Sequence, residues 1–351
     1  MGLLNREIML YRFENLPMGF LETSARELYR VLPGPSLIFL NGHHPEPIFV
    51  SLLLHGNEDV GLLAIQSVLK KFIQKNQSLP RALILFVGNV EAARFGARRL
   101  EAQQDYNRVW PGTEIETDSE EHLIMQEVWE QVKEIKLFLS LDLHNNTGIN
   151  PHYACINKLD NEFLHLANLF SRIVVYFLKP AGVQSIAFAA LCPSVTVECG
   201  RTGDERGVMH AAEFIDACLH LSELPKHPVA KHDIDLFHTV AIVKIPENIS
   251  FGFGSVDADI RFDEDLDRLN FREISAGTVI AYTDPNKEVH LSVTDEAGLE
   301  VENDYFVVEN SEIRFAQDMM PSMLTLDERV IRQDCLCYLM KRMNHCNISE
   351  Q

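Results

Sequence analysis

The run Phe49-Val50-Ser51-Leu52-Leu53-Leu54-His55-Gly56-Asn57-Glu58-Asp59-Val60-Gly61 decides the fold class. Its first six residues have the length and composition of a buried strand, and that run stops at His55. Gly56 and Asn57 are turn formers, Glu58 and Asp59 are acids, and a helical stretch follows from Asp59 to Gln74. Strand, turn and helix in that order put an imidazole and a carboxylate at the carboxyl edge of a sheet. Open α/β folds place their chemistry at that edge. Two imidazoles with one carboxylate leave zinc an open fourth position. The reading therefore turns on a second histidine in the same setting.

Spacing alone carries little weight, because His-x-x-Glu occurs four times: His43/Glu46, His55/Glu58, His210/Glu213 and His220/Glu223. The last two fall in or beside a helical stretch, where positions three apart are neighbours on one face. His43/Glu46 lies in the Pro-rich His43-His44-Pro45-Glu46-Pro47 and reads as solvated. Only His55/Glu58 has a strand before it and a helix after it.

The second histidine is His144, at the end of Leu137-Phe138-Leu139-Ser140-Leu141-Asp142-Leu143-His144-Asn145-Asn146. Asp142, two residues earlier, lies on the same side of that strand and is placed to orient an imidazole. A third piece is Ser194-Val195-Thr196-Val197-Glu198-Cys199-Gly200, where a glutamate ends a β-branched strand. Burying that carboxylate is costly unless it is paired or reacts. Beside an activated water it is a general base; the alternative is an ion pair with Arg201 or Arg206. A fourth piece runs from Asn89 to Gly112 and holds Arg94, Arg98, Arg99 and Arg108, a reversal of sign in an acidic chain. Guanidinium groups grip carboxylates in bidentate fashion and stabilise oxyanions, although a solvated basic loop has the same composition.

The formal net charge of −20 argues against nucleic acid and anionic membrane surfaces as partners, since both need a basic footprint. No apolar run approaches the roughly 18 to 20 residues of a membrane span. Met1 to Phe20 carries acids and no clean apolar core, against a secretory signal. Seven scattered cysteines without a Cys-x-x-Cys pair read as reduced thiols of a cytoplasmic protein. Cys335-Leu336-Cys337, on an expected helix, with His345-Cys346 reads as buried or surface thiols in preference to a structural metal site.

Strands are expected at 36–40, 48–54, 82–87, 137–143, 173–177 and 194–199, with helices at 59–74, 119–135, 160–171 and 207–221. That alternation means a mixed sheet flanked by helices, an α/β fold. After the linker-like Glu223-Leu224-Pro225-Lys226-His227-Pro228, short segments at 237–245, 278–282, 289–293 and 304–308 read as a small β domain. The expected domains are 1–228 (α/β, catalytic), 229–323 (β) and 324–351, the last containing a helix from Asp327 to Met343. The acidic run Asp257 to Asp267 reads as a solvated loop.

His55-Gly56-Asn57-Glu58 with Gly61, Asn89 to Arg98, Asp105-Tyr106-Asn107-Arg108-Val109-Trp110-Pro111-Gly112, Asp142-Leu143-His144-Asn145 and Val197-Glu198 recur here in one order. Together they resemble the aspartoacylase and succinylglutamate desuccinylase branch of the zinc carboxypeptidase superfamily. The resemblance covers about Ile48 to Leu221, with an echo in Ile274-Ser275-Ala276-Gly277-Thr278-Val279. It implies one zinc per chain on His55, Glu58 and His144, with Glu198 as general base. It also implies Arg98 on the scissile carbonyl, and Asn107 with Arg108 on a substrate carboxylate. The implied fold is a zinc carboxypeptidase-like mixed sheet, its site partly roofed by the β domain. The implied substrate is a small N-acyl amino acid whose amide bond is cleaved. Rival readings are a carboxypeptidase acting on short or modified peptides and a non-catalytic carboxylate-binding homologue. Two departures stand out. The stretch from Asn89 to Asp105 is slightly long, leaving Arg98 and Arg99 as competing oxyanion residues. Gln184 stands where aspartoacylases carry a substrate-binding arginine, which weakens a dicarboxylate substrate.

Overall fold

The computed structural model describes residues 10–115 and 117–343. The chain divides into two compact units. The first takes the described part of Met1–Asn145 together with His152–Val174 and Pro180–Ile234. The second takes Asn146–Pro151, Val175–Lys179 and the described part of Asp235–Gln351.

Seven strands belong wholly or mainly to the first unit: β1 (Tyr11–Phe13), β2 (Ser36–Leu40), β3 (Gly42–Leu52), β4 (Leu79–Val87), β5 (Leu139–Asn146), β6 (Tyr153–Ile156) and β8 (Ser194–Arg201); β7 (Ile173–Tyr176) is divided equally between the two units. They lie in the order β1-β2-β4-β3-β5-β8-β6-β7. β3 runs parallel to both β4 and β5, with Val50 opposite Leu85 on one side and Leu141 on the other. β2 is antiparallel to β4, and β6 to β8, which makes the sheet mixed. The helices are α1 (Val60–Gln74), α2 (Val90–Phe95), α3 (Glu120–Val132), α4 (Asn161–Phe170), α5 (Gln184–Phe188) and α6 (Glu205–His220).

Of the apolar run Phe49–Leu54, the first four residues end β3, an inner strand of this sheet, and the last two lead out of it; residues 47–56 are all buried. Each fully buried Leu, Ile, Val or Phe stabilises by about 1.5–3 kcal/mol relative to exposure. One aromatic cluster has a direct bearing on the site. Phe49 stacks on Phe188 at 4.2 Å, and Trp110 meets Phe188 edge-on at 5.6 Å and Phe86 at 5.7 Å. Such pairs add about 0.5–1.5 kcal/mol beyond burial. Because Tyr106, Val109 and Trp110 all belong to this core, the irregular loop carrying Asp105, Asn107 and Arg108 is pinned from below.

In the second unit β9 (Asp235–Lys244) is paired antiparallel. A five-stranded sheet there contains β10 (Phe251–Phe253), β11 (Ile260–Phe262), β12 (Val279–Thr283), β14 (Phe306–Glu309) and β15 (Glu312–Phe315), in the order β10-β11-β12-β15-β14. β13 (Ser292–Asp295) pairs with β9, and so does β17 (Cys337–Arg342), which in turn pairs with β16 (Met320–Ser322). The short helices are α7 (Glu302–Tyr305) and α8 (Glu328–Gln333). The expected helix from Asp327 to Met343 is thereby corrected. It stops after six residues, and Cys337–Arg342 is a strand instead. The cause is pairing: Leu339 lies opposite Ala241 and Cys337 opposite Val243, so β9 absorbs residues whose apolar spacing also suits a helix. Cys335 and Cys337 are buried and not joined in a disulfide, and His345-Cys346 lie outside the described residues. Among the described residues, no helix is long and apolar enough to cross a membrane.

Candidate active site and metal centre

β3 ends at Leu52, and the chain reaches His55 through Leu53, a buried leucine held in the left-handed region at φ +53°. That conformation costs a non-glycine residue roughly 1–2 kcal/mol. It persists because the backbone is tied on both sides: Leu52 O accepts from Gly88 N at 2.9 Å and Leu53 O from Asn89 N at 2.7 Å. A Cβ on Gly56 would sit 2.2 Å from Ala93 N, so the turn after His55 admits only glycine. Gly56 N donates to Arg98 O at 3.0 Å, joining the His55 turn to the arginine segment. Glu58 then precedes α1 and points back beneath the histidine.

His55, Glu58 and His144 come together there. Each offers a ligand atom, and those atoms lie within 4.8 Å of one another. His55 Nδ1 is 2.9 Å from Glu58 Oε1, and His144 Nδ1 is 2.7 Å from Glu58 Oε2. Both rings also have their other nitrogen on a carboxylate. His55 Nε2 is 3.0 Å from Asp105 Oδ1, and His144 Nε2 is 2.9 Å from Asp142 Oδ2. An outer carboxylate on each imidazole is the arrangement that orients metal-ligating histidines.

Electrostatics point the same way. Burial pulls His55 down, and Arg98 adds to that, but Glu58 and Asp105 outweigh both and raise its pKa. Burial also opposes His144, yet Asp142 and Glu58 lift it well above the ordinary value. Glu58 is driven up by burial and then far below the carboxylate range by the two imidazoles. Asp105 follows the same pattern through His55 and Arg98. Three buried carboxylates around two imidazoles and one guanidinium form a donor set for a cation. Metal binding and imidazole protonation are then alternatives at the two Nδ1 atoms. These residues fit a divalent metal.

Asp142 is fully buried and held by several donors. Ser51 Oγ donates to its Oδ1 at 2.6 Å, Asn107 Nδ2 to its Oδ2 at 3.1 Å, and Thr196 Oγ1 to the same oxygen at 3.4 Å. Glu198 lies on β8, buried, where Arg201 and Arg206 are exposed. Burial pushes its carboxyl up to about 8 against the pull of His144, with Glu58 adding to the rise. Its surroundings are thus those of the histidine cluster.

Arg98 and Arg99 separate cleanly. Arg98 donates from Nε at 3.2 Å and from Nη2 at 2.9 Å to Asp105 Oδ2, and its Nη1 lies 3.7 Å from Glu58 Oε1. Arg99 Nη1 donates to Gln103 O at 2.7 Å. Asn107 accepts at Oδ1 from Gln184 N at 2.8 Å, so both ends of its amide are engaged inside the protein. Arg108 is half-buried, with Nη1 on Asn107 O at 2.8 Å. Gln184 is fully buried and donates to Ser140 Oγ at 2.5 Å. The remaining His-x-x-Glu pairs have structural partners: Glu46 is on Lys136, His210 on Phe170 O and His220 on Asp216 O. Sequence reasoning missed Ser51 and the pairing of Asp105 with His55. The first is a small polar residue in an apolar strand, a faint signal. The second spans fifty residues and leaves no local signal.

Residues 49–219 match the family model of the succinylglutamate desuccinylase/aspartoacylase catalytic domain. No curated protein sequence matches the chain. In fold it is similar to the succinylglutamate desuccinylase from Chromobacterium violaceum, at TM-score 0.59 and 14% identity over 88% of each chain. A succinylglutamatedesuccinylase/aspartoacylase from Rhodobacter sphaeroides gives TM-score 0.57 and 13% identity, over 87% of this chain and 88% of that one. Murine aminoacylase 3 gives 0.51 and 14%, over 86% and 97%. At these identities the likeness is one of fold; the matched segment holds both histidines, Glu58 and Glu198. Over residues 49–219, just under half of the chain, the protein thus matches the catalytic domain of the succinylglutamate desuccinylase/aspartoacylase family.

Proposed function

We propose that this protein is a zinc-dependent deacylase that hydrolyses the amide bond of an N-acyl amino acid. The observation that carries the reading is the convergence of His55, Glu58 and His144, each histidine backed by its own carboxylate, beside the buried Glu198. His55, Glu58 and His144 would hold the metal. Bound there, zinc supplies Lewis acidity toward a carbonyl and a water. One zinc per chain is the expected content.

The protein's own groups do the rest. Glu198 takes a proton from the attacking water and hands it to the leaving nitrogen, and its buried setting favours a group that alternates between charged and neutral. Arg98 is fixed by Asp105 in two hydrogen bonds and meets the developing oxyanion. Arg108 binds the free carboxylate of the amino acid. Asn107 serves by position rather than by touching substrate, since its amide bridges Asp142 and Gln184 N. A buried Gln184 contributes no positive charge, which favours substrates with one carboxylate over dicarboxylates. Several fold relatives are named for acting on N-acyl amino acids, succinylglutamate desuccinylase and aminoacylase 3 among them, and we carry that class over in preference to peptides.

The deciding experiment is metal content of purified protein beside His144→Ala, followed by turnover of N-acyl amino acids beside dipeptides. One zinc per chain, absent in the variant, with deacylation of the first set, is expected. Turnover of dipeptides alone would make it a carboxypeptidase. Stoichiometric binding of N-acyl amino acids without turnover would make it a carboxylate-binding homologue.

A further inference from the structure

Asn145, next to His144, makes contacts that the proposed chemistry leaves without a role. Its side chain is buried and spans two other elements. Oδ1 accepts from Val60 N at 3.0 Å, at the first residue of α1. Nδ2 donates to Gly200 O at 3.1 Å, two residues beyond Glu198 on β8. Its backbone N–H reaches Glu58 Oε2 at 3.3 Å. Asp59, at the N-cap of α1, makes no side-chain cap bond, so the acceptor for the first helical N–H comes from β5 instead. One amide therefore joins the strand end bearing His144, the helix that follows Glu58 and the strand end bearing Glu198. A second tie runs beside it, from Thr202 Oγ1 to Asn57 O at 3.1 Å.

We infer that Asn145 is a positioning residue that fixes Glu198 against the two histidines and Glu58. This rests on the reading of the site as a metal-dependent deacylase. The three metal-ligand candidates keep one another through Glu58, Asp105 and Asp142, none of which needs the Asn145 side chain. Beside its main-chain pairing and the Thr196 hydroxyl on Asp142, the end of β8 is tied through Gly200 to Asn145 and through the adjoining Thr202 to Asn57. Loss of the amide therefore acts on the base and spares the metal.

Asn145→Ala and Asn145→Asp separate this role from capping. An aspartate still accepts the Val60 N–H, and its charge suits a helix amino end, but it cannot donate to Gly200 O. In Asn145→Ala, kcat should fall about 10–100-fold, the range typical for loss of a group that orients catalytic neighbours. KM for an N-acetyl amino acid and the affinity of the metal-free protein for Zn2+ should both stay within about 3-fold of wild type. Asn145→Asp keeps the acceptor for Val60 N–H but sets a carboxylate oxygen against Gly200 O, so kcat should stay low whether or not the melting temperature recovers. The inference is overturned if kcat in Asn145→Ala stays within about 2-fold of wild type. It is also overturned if Asn145→Asp recovers kcat together with melting temperature, or if Zn2+ affinity falls as far as kcat. Wild type run in parallel keeps the two ideas apart: if it neither binds Zn2+ nor turns over substrate, the site reading fails and takes this inference with it.

Discussion

His55 and His144 stand at neighbouring strand ends and face one carboxylate, yet they are held in opposite ways. His144 is still within β5, and its outer partner Asp142 lies two residues earlier on the same strand. Ser51, Asn107 and Thr196 secure that partner. His55 comes after β3 has ended, beyond a left-handed leucine, and its outer partner Asp105 lies in an irregular loop fifty residues on. Asp105 is shared with Arg98, whereas Asp142 is held by hydroxyl and amide donors. The contrast teaches that one half of a candidate metal site can be built by a single strand's period, while the other half depends on how distant segments pack.

The largest effects would come from the histidines. His55→Ala and His144→Ala should each remove the metal and turnover entirely, since two remaining ligands do not hold zinc in this coordination. Metal analysis after dialysis checks this, and retention by either variant breaks the symmetry assumed between them. Next come the outer carboxylates. Asp105→Ala leaves a buried Arg98 without its bidentate partner, a loss of about 3–5 kcal/mol for a broken buried ion pair. Asp142→Ala leaves Ser51, Asn107 and Thr196 without their acceptor, each costing about 1–3 kcal/mol, and takes the outer carboxylate from the His144 imidazole. Per group lost, urea unfolding should rank Asp105→Ala as the more damaging, and the reverse order would make the strand-built half the more fragile one.

A smaller effect tests the turn before His55. Leu53→Ala and Leu53→Gly both lose a buried side chain, at about 2–5 kcal/mol. Glycine alone relieves the left-handed strain, worth roughly 1–2 kcal/mol. The glycine variant should therefore be the more stable of the two, against the usual preference for alanine. An alanine variant as stable as the glycine one would show that Leu53 carries no strain.

The smallest effect is a difference in titration. In metal-free protein both imidazoles have raised pKa values, so their contribution to stability is fully present below pH about 6.5 and is lost as pH rises through the folded values. Arg98 opposes the rise at His55 only, so His144 should hold its proton to higher pH. Imidazole NMR titration of the apoprotein reads this directly. Titration of His55 above His144 would contradict the assigned role of Arg98.

The first unit was largely legible in the sequence. Ser36–Leu40 was read to the residue, and β3, β4, β5 and β8 were located from their apolar runs. The three-residue β1 and four-residue β6 were not, because so short a strand leaves no period to detect. Across Asp327 to Met343 the local pattern does not discriminate, because Val330, Ile331, Leu336, Leu339 and Met340 fit a helix as well as a strand. Pairing with β9 decided between them.

By itself the sequence determined which chemical groups end the strands: imidazoles at His55 and His144, a carboxylate at Glu198, and Asp142 in step with His144. These follow from local periodicity, which fixes the face on which each residue emerges. Tertiary structure alone decided that Arg98 and not Arg99 enters the site, that Asp105 backs His55, that Gln184 is buried, and that Asn145 bridges α1 and β8. Each of these choices depends on where side chains and backbone segments come to rest in the packed fold, and for Asp105 and Asn145 the partners lie tens of residues away. No local period carries that information, because a strand or helix pattern specifies its own backbone and not the neighbour that will pack against it.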